Sequence, residues 1–107
     1  WLSHVREGLR IGLSDADIEA CKHGPASDHW SDEERDLMLL VDQMRDDYDV
    51  RDDLWARLEQ QFEAPSLMTL LFTVGNYIMF SSILNAMRAQ PEAGQDGEAL
   101  AEKYGRP

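Results

Sequence analysis

The stretch from Ser66 to Arg88 (SLMTLLFTVGNYIMFSSILNAMR) carries no charge before its last residue, and no other run constrains the fold as tightly. Written as a helix, it is apolar on every face. Leu67, Leu70, Leu71, Val74 and Ile78 fall on one side, and Phe72, Met79, Ile83 and Met87 on others. A helix apolar all round belongs in a core or in a bilayer, and roughly twenty residues at ~1.5 Å each reach about 30 Å, which suits either. Composition separates the two. Two Asn, two Thr, two Ser and one Gly interrupt the run, no basic cluster flanks it, and amphipathic segments upstream need apolar surface to cover their own faces. The expectation is a long buried C-terminal core helix, with no membrane partner.

The upstream segments read as shorter amphipathic helices. In Trp1 to Gly12, Leu2, Val5 and Leu9 share one face; Gly12 stops the helix, and Gly8 leaves room for close packing. Ser14 and Asp17 are spaced as a capping box for a short helix carrying Ile18 and Cys21 inward. His23-Gly24-Pro25 ends it, with Gly24 expected in the left-handed cap. Ser31 and Glu34 form a second capping-box pattern. The helix beyond places Leu37, Leu40, Val41, Met44 and Tyr48 on one face. Asp46 to Asp53 is an acidic connector without EF-hand spacing, read as a solvated loop ending in an Asp52 N-cap. Leu54, Trp55, Leu58 and Phe62 mark a fourth helix, and Ala64-Pro65-Ser66 breaks it before the long one. Nothing alternates like a strand. The fold class is therefore all-α, a helical bundle of about five helices, with residues 1–88 as its domain and 89–107 as a C-terminal tail, either mobile or carrying one short turn of helix at Ala99, Leu100 and Tyr104.

The 107 residues suit one domain with a modest core. Ten basic and 21 acidic residues give 10 − 21 = −11, an acidic protein that repels phosphate backbones and anionic membranes, so nucleic acid is excluded as a partner. Cys21 is the single cysteine; it permits no internal disulfide and points to a cytoplasmic protein. The chain opens at Trp1, without Met or a leader, and reads as a trimmed one.

Among residues able to do chemistry, His4 stands out as the proton carrier near neutral pH, with Glu7 and Gly8 on its face and Arg6 and Arg10 nearby. His23 and His29, with Asp28 and Asp32, match no zinc spacing, so no metal is expected. Cys21 has no second cysteine at Cys-x-x-Cys spacing and no histidine on its own face, and reads as a buried structural thiol. The five methionines read as core filling.

Taken in order, Trp1-Leu2-Ser3-His4, Gly12-Leu13-Ser14-Asp15-Ala16-Asp17-Ile18, Trp30-Ser31 with Glu34, Trp55, and Phe72-Thr73-Val74-Gly75-Asn76-Tyr77 resemble the carboxymuconolactone decarboxylase family, which has the alkylhydroperoxidase D-like fold. The resemblance spans most of residues 1–88. It implies a helical bundle that assembles with copies of itself into homotrimers or homohexamers. It also implies that His4 matches the family's active-site histidine, and that Trp1, Arg10 and Tyr77 lie along the substrate site. Peroxidase members carry a Cys-x-x-Cys pair just before that histidine, and no such pair follows Trp1 here.

Three functions follow. The first is a cofactor-independent lyase using His4 as acid or base on a small organic substrate, with Arg6 or Arg10 as the cation that a developing enolate requires. The second is a non-catalytic helical oligomer or binding module of the same fold. The third, alkylhydroperoxide reduction through Cys21 alone, needs an exposed, acidified thiolate and an external reductant.

Overall fold

The computed structural model describes residues 1–89 and 97–105. Among them are six α-helices and no strand, so the all-helical expectation holds: α1 (Leu2–Ile11), α2 (Asp15–His23), α3 (Asp32–Asp47), α4 (Asp52–Gln61), α5 (Ala64–Ala86) and α6 (Gly97–Tyr104). A 3-10 turn, Gly24–Ala26, follows α2. The helices divide between two compact units, one holding α1, α2 and α6, the other α3, α4 and α5.

In the first unit, α1 ends where Gly12 adopts φ 107°, a left-handed cap open to glycine without a Cβ clash. The N–H of Leu13 then reaches back to the Gly8 carbonyl at 2.9 Å. Gly8 is buried, and a Cβ there would stand 2.9 Å from Leu13 Cδ1 and 3.5 Å from Ile18 Cδ1, so its missing side chain leaves room for the Leu13 side chain. The Ser14 capping box forms in full: Asp17 N–H donates to Ser14 Oγ (3.1 Å) and Ser14 N–H to Asp17 Oδ2 (2.8 Å). Gly24 differs from expectation. Its φ 61°, ψ −151° lies outside the left-handed helical region, in a zone that glycine alone reaches easily, because the chain enters the 3-10 turn at Pro25 directly.

Val5 and Ile18 form the core of this unit with Tyr104, and Trp1, Leu9 and Leu100 pack around them. Tyr104 lies on α6, within the segment expected to be a mobile tail or one short turn of helix. The mobile reading is corrected for residues 97–104, whose apolar side folds onto α1 while the Tyr104 hydroxyl donates to Asp15 Oδ1 at 2.7 Å. Residues 90–96 and 106–107 of the expected tail lie outside the described residues.

The second unit is built on Leu40, Leu54 and Leu58, each no more than 1 % exposed, with Leu67 of α5. Asp36 is buried between α3 and α4, where its carboxylate accepts from Arg57 Nε (3.1 and 3.2 Å) and Gln61 Nε2 (2.9 Å), so a buried charge is met by one cationic and one amide donor. Two residues of the expected inward face of α3 turn outward. Val41 is exposed, and Tyr48 is 86 % exposed because α3 stops at Asp47 and Tyr48 takes φ 55°, swinging its ring off the helical face. Asp52 is the first residue of α4 rather than its cap; Arg51 holds that position. Pro65 falls in the first turn of α5, where its missing N–H costs nothing, so the helix starts at Ala64 instead of Ser66.

The principal correction concerns α5. It is 23 residues long with mean hydropathy 1.6, enough by length and composition to cross a membrane, yet 11 % of its most apolar window is buried. The expected buried core helix touches α3 and α4 through Leu67, Leu70, Leu71 and Val74, and leaves Met68, Phe72, Met79, Phe80, Ile83 and Leu84 exposed. Two short helices cover one side of a rod, and its other sides stay open. Removing the Leu58 side chain leaves a void where α3, α4 and α5 meet. Leu58→Ala is expected to lower the unfolding free energy by about 2–5 kcal/mol, read from urea melts; a loss below about 1 kcal/mol would show that the site collapses without cost.

Candidate functional site

The residues expected to act on substrate divide between the two units. Trp1, His4 and Arg10 belong to the α1 unit and Tyr77 to the α5 unit. His4 is exposed, one helical turn beyond Trp1. The Trp1 indole is half-buried against the Val5–Ile18–Tyr104 cluster and its Nε1–H has no acceptor, a donor left unsatisfied. Arg10 is turned to its own helix: its guanidinium pairs with Glu7, and that pairing holds the Glu7 carboxyl below its usual range and raises Arg10. The cation expected to serve a carboxylate substrate is thus engaged by a neighbour on α1.

Tyr77 is 62 % exposed and lines a cleft of about 520 Å³ between α3 and α5, opposite Val41, Arg45 and Tyr48. Arg45 and Tyr48 were not among the expected site residues. Tyr48 reads in sequence as a core residue, and nothing in its identity signals the left-handed backbone that throws it outward. Arg45 reads as one charge in an acidic run; its guanidinium is tied to Asp46 (Nε–Oδ1 3.0 Å) and Asp42 (Nη2–Oδ1 3.2 Å).

Cys21 is exposed, a correction to the buried thiol expected of it: it lies a turn beyond Ile18 on α2 and is not part of the Val5–Ile18 cluster. Partial desolvation of the sulfur and then the nearby Asp17 charge push its pKa up. An acidified thiolate for peroxide chemistry is the opposite of this environment. Among the described residues, no three His, Cys, Asp or Glu side chains converge as metal ligands.

Asp17 is a strongly perturbed carboxylate. The Ser14 backbone N–H, then His29, then the Ser14 hydroxyl hold its pKa at about 2, against an ordinary 3.8. His29 Nε2 stands 2.6 Å from Asp17 Oδ1, and the His29 ring meets Trp30 edge-on at 4.9 Å. Trp30 Nε1 donates to the Gly24 carbonyl at 3.2 Å, so the loop after α2 is pinned to the start and the end of that helix. This is a structural staple.

No family model, curated protein or solved structure matches the chain. A depressed carboxylate pKa stabilises the fold above its unfolded value and ceases to do so as the proton returns. Asp17 should therefore contribute fully above pH 3.8 and lose that contribution as pH falls toward about 2. Urea midpoints are expected to drop between pH 6 and pH 3 by less in Asp17→Asn than in the wild type; equal drops would remove Asp17 from the acid response.

Proposed function

We propose that this chain is a carboxymuconolactone decarboxylase-like helical protein that works as an assembly of its own copies, with the open side of α5 as the seam and His4 as the acid or base on a small organic substrate. One observation carries the assembly: Met68, Phe72, Met79 and Ile83 form an exposed stripe along a helix of mean hydropathy 1.6. Apolar stripes of this extent mark contact surfaces. Their spacing of 4, 7 and 4, with Gly75 between Phe72 and Met79, is that of a helix-on-helix seam. Nothing lies within 4 Å of where a Gly75 Cβ would be, which leaves room for a neighbouring backbone.

Lipid is the weaker occupant. α5 runs against α3, nine of whose sixteen residues are charged (Asp32, Glu33, Glu34, Arg35, Asp36, Asp42, Arg45, Asp46, Asp47), and a spanning α5 would draw them into hydrocarbon. A charge of −11 repels anionic headgroups as well. A second copy brings the same apolar stripe, at the cost of charge repulsion that salt screens. Light scattering should give a mass that is a multiple of 12.2 kDa and that rises with ionic strength. Phe72→Glu combined with Met79→Glu should return it to 12.2 kDa with helix content kept. A monomeric wild type at high salt and high concentration overturns the seam.

For the chemistry, the resemblance supplies the reading, and an exposed His4 imidazole is consistent with it. The wild-type assembly is expected to release CO2 from carboxymuconolactone, and His4→Ala to do so at least about a hundredfold more slowly while changing unfolding free energy by no more than about 0.5 kcal/mol. An inactive wild type that still assembles favours the non-catalytic oligomer or binding module.

A further inference from the structure

The exposed stripe of α5 is symmetric about the middle of its helix. Its intervals read the same from either end, so Met68 lies as far from the point between Gly75 and Asn76 as Ile83 does, and Phe72 as far as Met79. The flanking charges obey the same symmetry with opposite sign. Glu63 is the N-cap of α5 and Arg88 follows its C-cap Met87, at equal distances along the chain from that point. Thr69 and Ser82 match as well, each hydroxyl already donating to a carbonyl four residues back.

A surface that meets its own copy across a two-fold axis must be self-complementary. With the axis between Gly75 and Asn76 and the helices antiparallel, Met68 opposes the second copy's Ile83, Phe72 its Met79 and Glu63 its Arg88. A parallel pair sets Glu63 on Glu63 and Arg88 on Arg88, and it aligns the two helix dipoles. Coverage within the unit points the same way. Leu67, Leu70, Leu71 and Val74, which pack with the Leu40–Leu54–Leu58 cluster, all lie in the N-terminal half of α5. Antiparallel packing lays the half that carries α3 and α4 beside the bare half of the second copy and keeps the two highly charged α3 helices apart.

Gly75 and Asn76 set where the helices cross. They share a hollow on this side of α5 with Met68, Phe72 and Met79, and no atom lies within 4 Å of where a Gly75 Cβ would stand, so a second backbone can approach most closely there. Asn76 places an amide in an otherwise apolar stripe. Across the axis it lies next to its own copy, and two amides that bond each other fix the register as a lone Asn does in a coiled-coil core.

We propose that two copies pack α5 against α5 antiparallel, about a two-fold axis between Gly75 and Asn76, with Glu63 of each copy against Arg88 of the other. This rests on the reading of α5 as the seam and adds orientation, register and parity to it. A two-fold seam builds even-numbered assemblies, so of those that the resemblance implies it admits the homohexamer and not the homotrimer.

Crosslinking reads the orientation. In a Cys21→Ser background, Met68→Cys and Ile83→Cys are mixed and treated with a short dimaleimide. Positions 68 and 83 stand ~22 Å apart along one helix at 1.5 Å per residue, beyond the reach of the linker, so orientation decides which thiols join. Met68→Cys should join Ile83→Cys, neither should join its own kind, and Asn76→Cys alone should join its own copy. Charge reversal is a second measurement, decisive where a cysteine variant does not fold. Glu63→Arg or Arg88→Glu alone should weaken association several-fold at about 0.15 M salt, although Glu63→Arg lowers the net negative charge, and the two together should restore it.

A wild type that stays monomeric overturns the seam and this proposal together, and its flotation with phosphatidylcholine vesicles would give the face to lipid. In a wild type that assembles, the antiparallel register alone is overturned if Met68→Cys joins its own kind, if Asn76→Cys fails to join, or if the paired charge reversal stays as weak as the single ones.

Discussion

One-sided burial of α5 governs the second unit. Leu67, Leu70, Leu71 and Val74 close over the Leu40–Leu54–Leu58 cluster, and there the supply of covering helices within the unit ends. Hydrophobic burial is proportional to the area removed from water, so every apolar residue on the open sides is stabilisation not yet realised. The same helix therefore explains both why the unit holds together and why an apolar face is left uncovered on it. The hydroxyls fit this double role: Thr69, Thr73 and Ser82 each donate to a carbonyl four residues back, so covering the helix would not strand their protons.

Polar groups are managed differently in the two units. Around α2 the ties are local and exposed: a capping box, an Asp17–His29 contact and an indole on a carbonyl set the loop geometry without a large core. Between α3 and α4 one carboxylate is taken inside, and Asp36 is tolerable only because Arg57 and Gln61 converge on it. Gln61 Oε1 is left buried without a partner, so that network is not fully satisfied. With a charge of −11, most of the remaining carboxylates stay in water, and short-range pairs such as Arg35–Asp32 and Arg45–Asp42 moderate their repulsion.

The parts legible in the sequence were those decided by near neighbours along the chain. Gly12, the Ser14–Asp17 box and the 3,4 spacing of Leu37, Leu40 and Met44 announce their structures because the partners lie within two turns. Burial of α5 was not legible. A helix apolar on every face has no preferred side, so its pattern cannot say how much of it neighbours will cover. The α6 segment was legible only as one short turn at Ala99, Leu100 and Tyr104: a polar stretch with so few apolar residues has little period, and the Tyr104 partner Asp15 is 89 residues away. Of the candidate site, His4 stands out in the sequence and Trp1, Arg10 and Tyr77 are implied by the resemblance, but the Glu7 pairing that occupies Arg10 depends on rotamers, and Tyr48 depends on a backbone sign that tyrosine does not advertise.

The clasp of Tyr104 on Asp15 bears on the order in which the chain matures. One unit is a continuous stretch, whereas the other is assembled from two stretches that flank it. On a ribosome the continuous helices can settle as soon as they emerge, but α1 and α2 must wait with Val5 and Ile18 uncovered until the last turn of α6 is made. During that interval the nascent N-terminal helices are the segment that a chaperone would recognise.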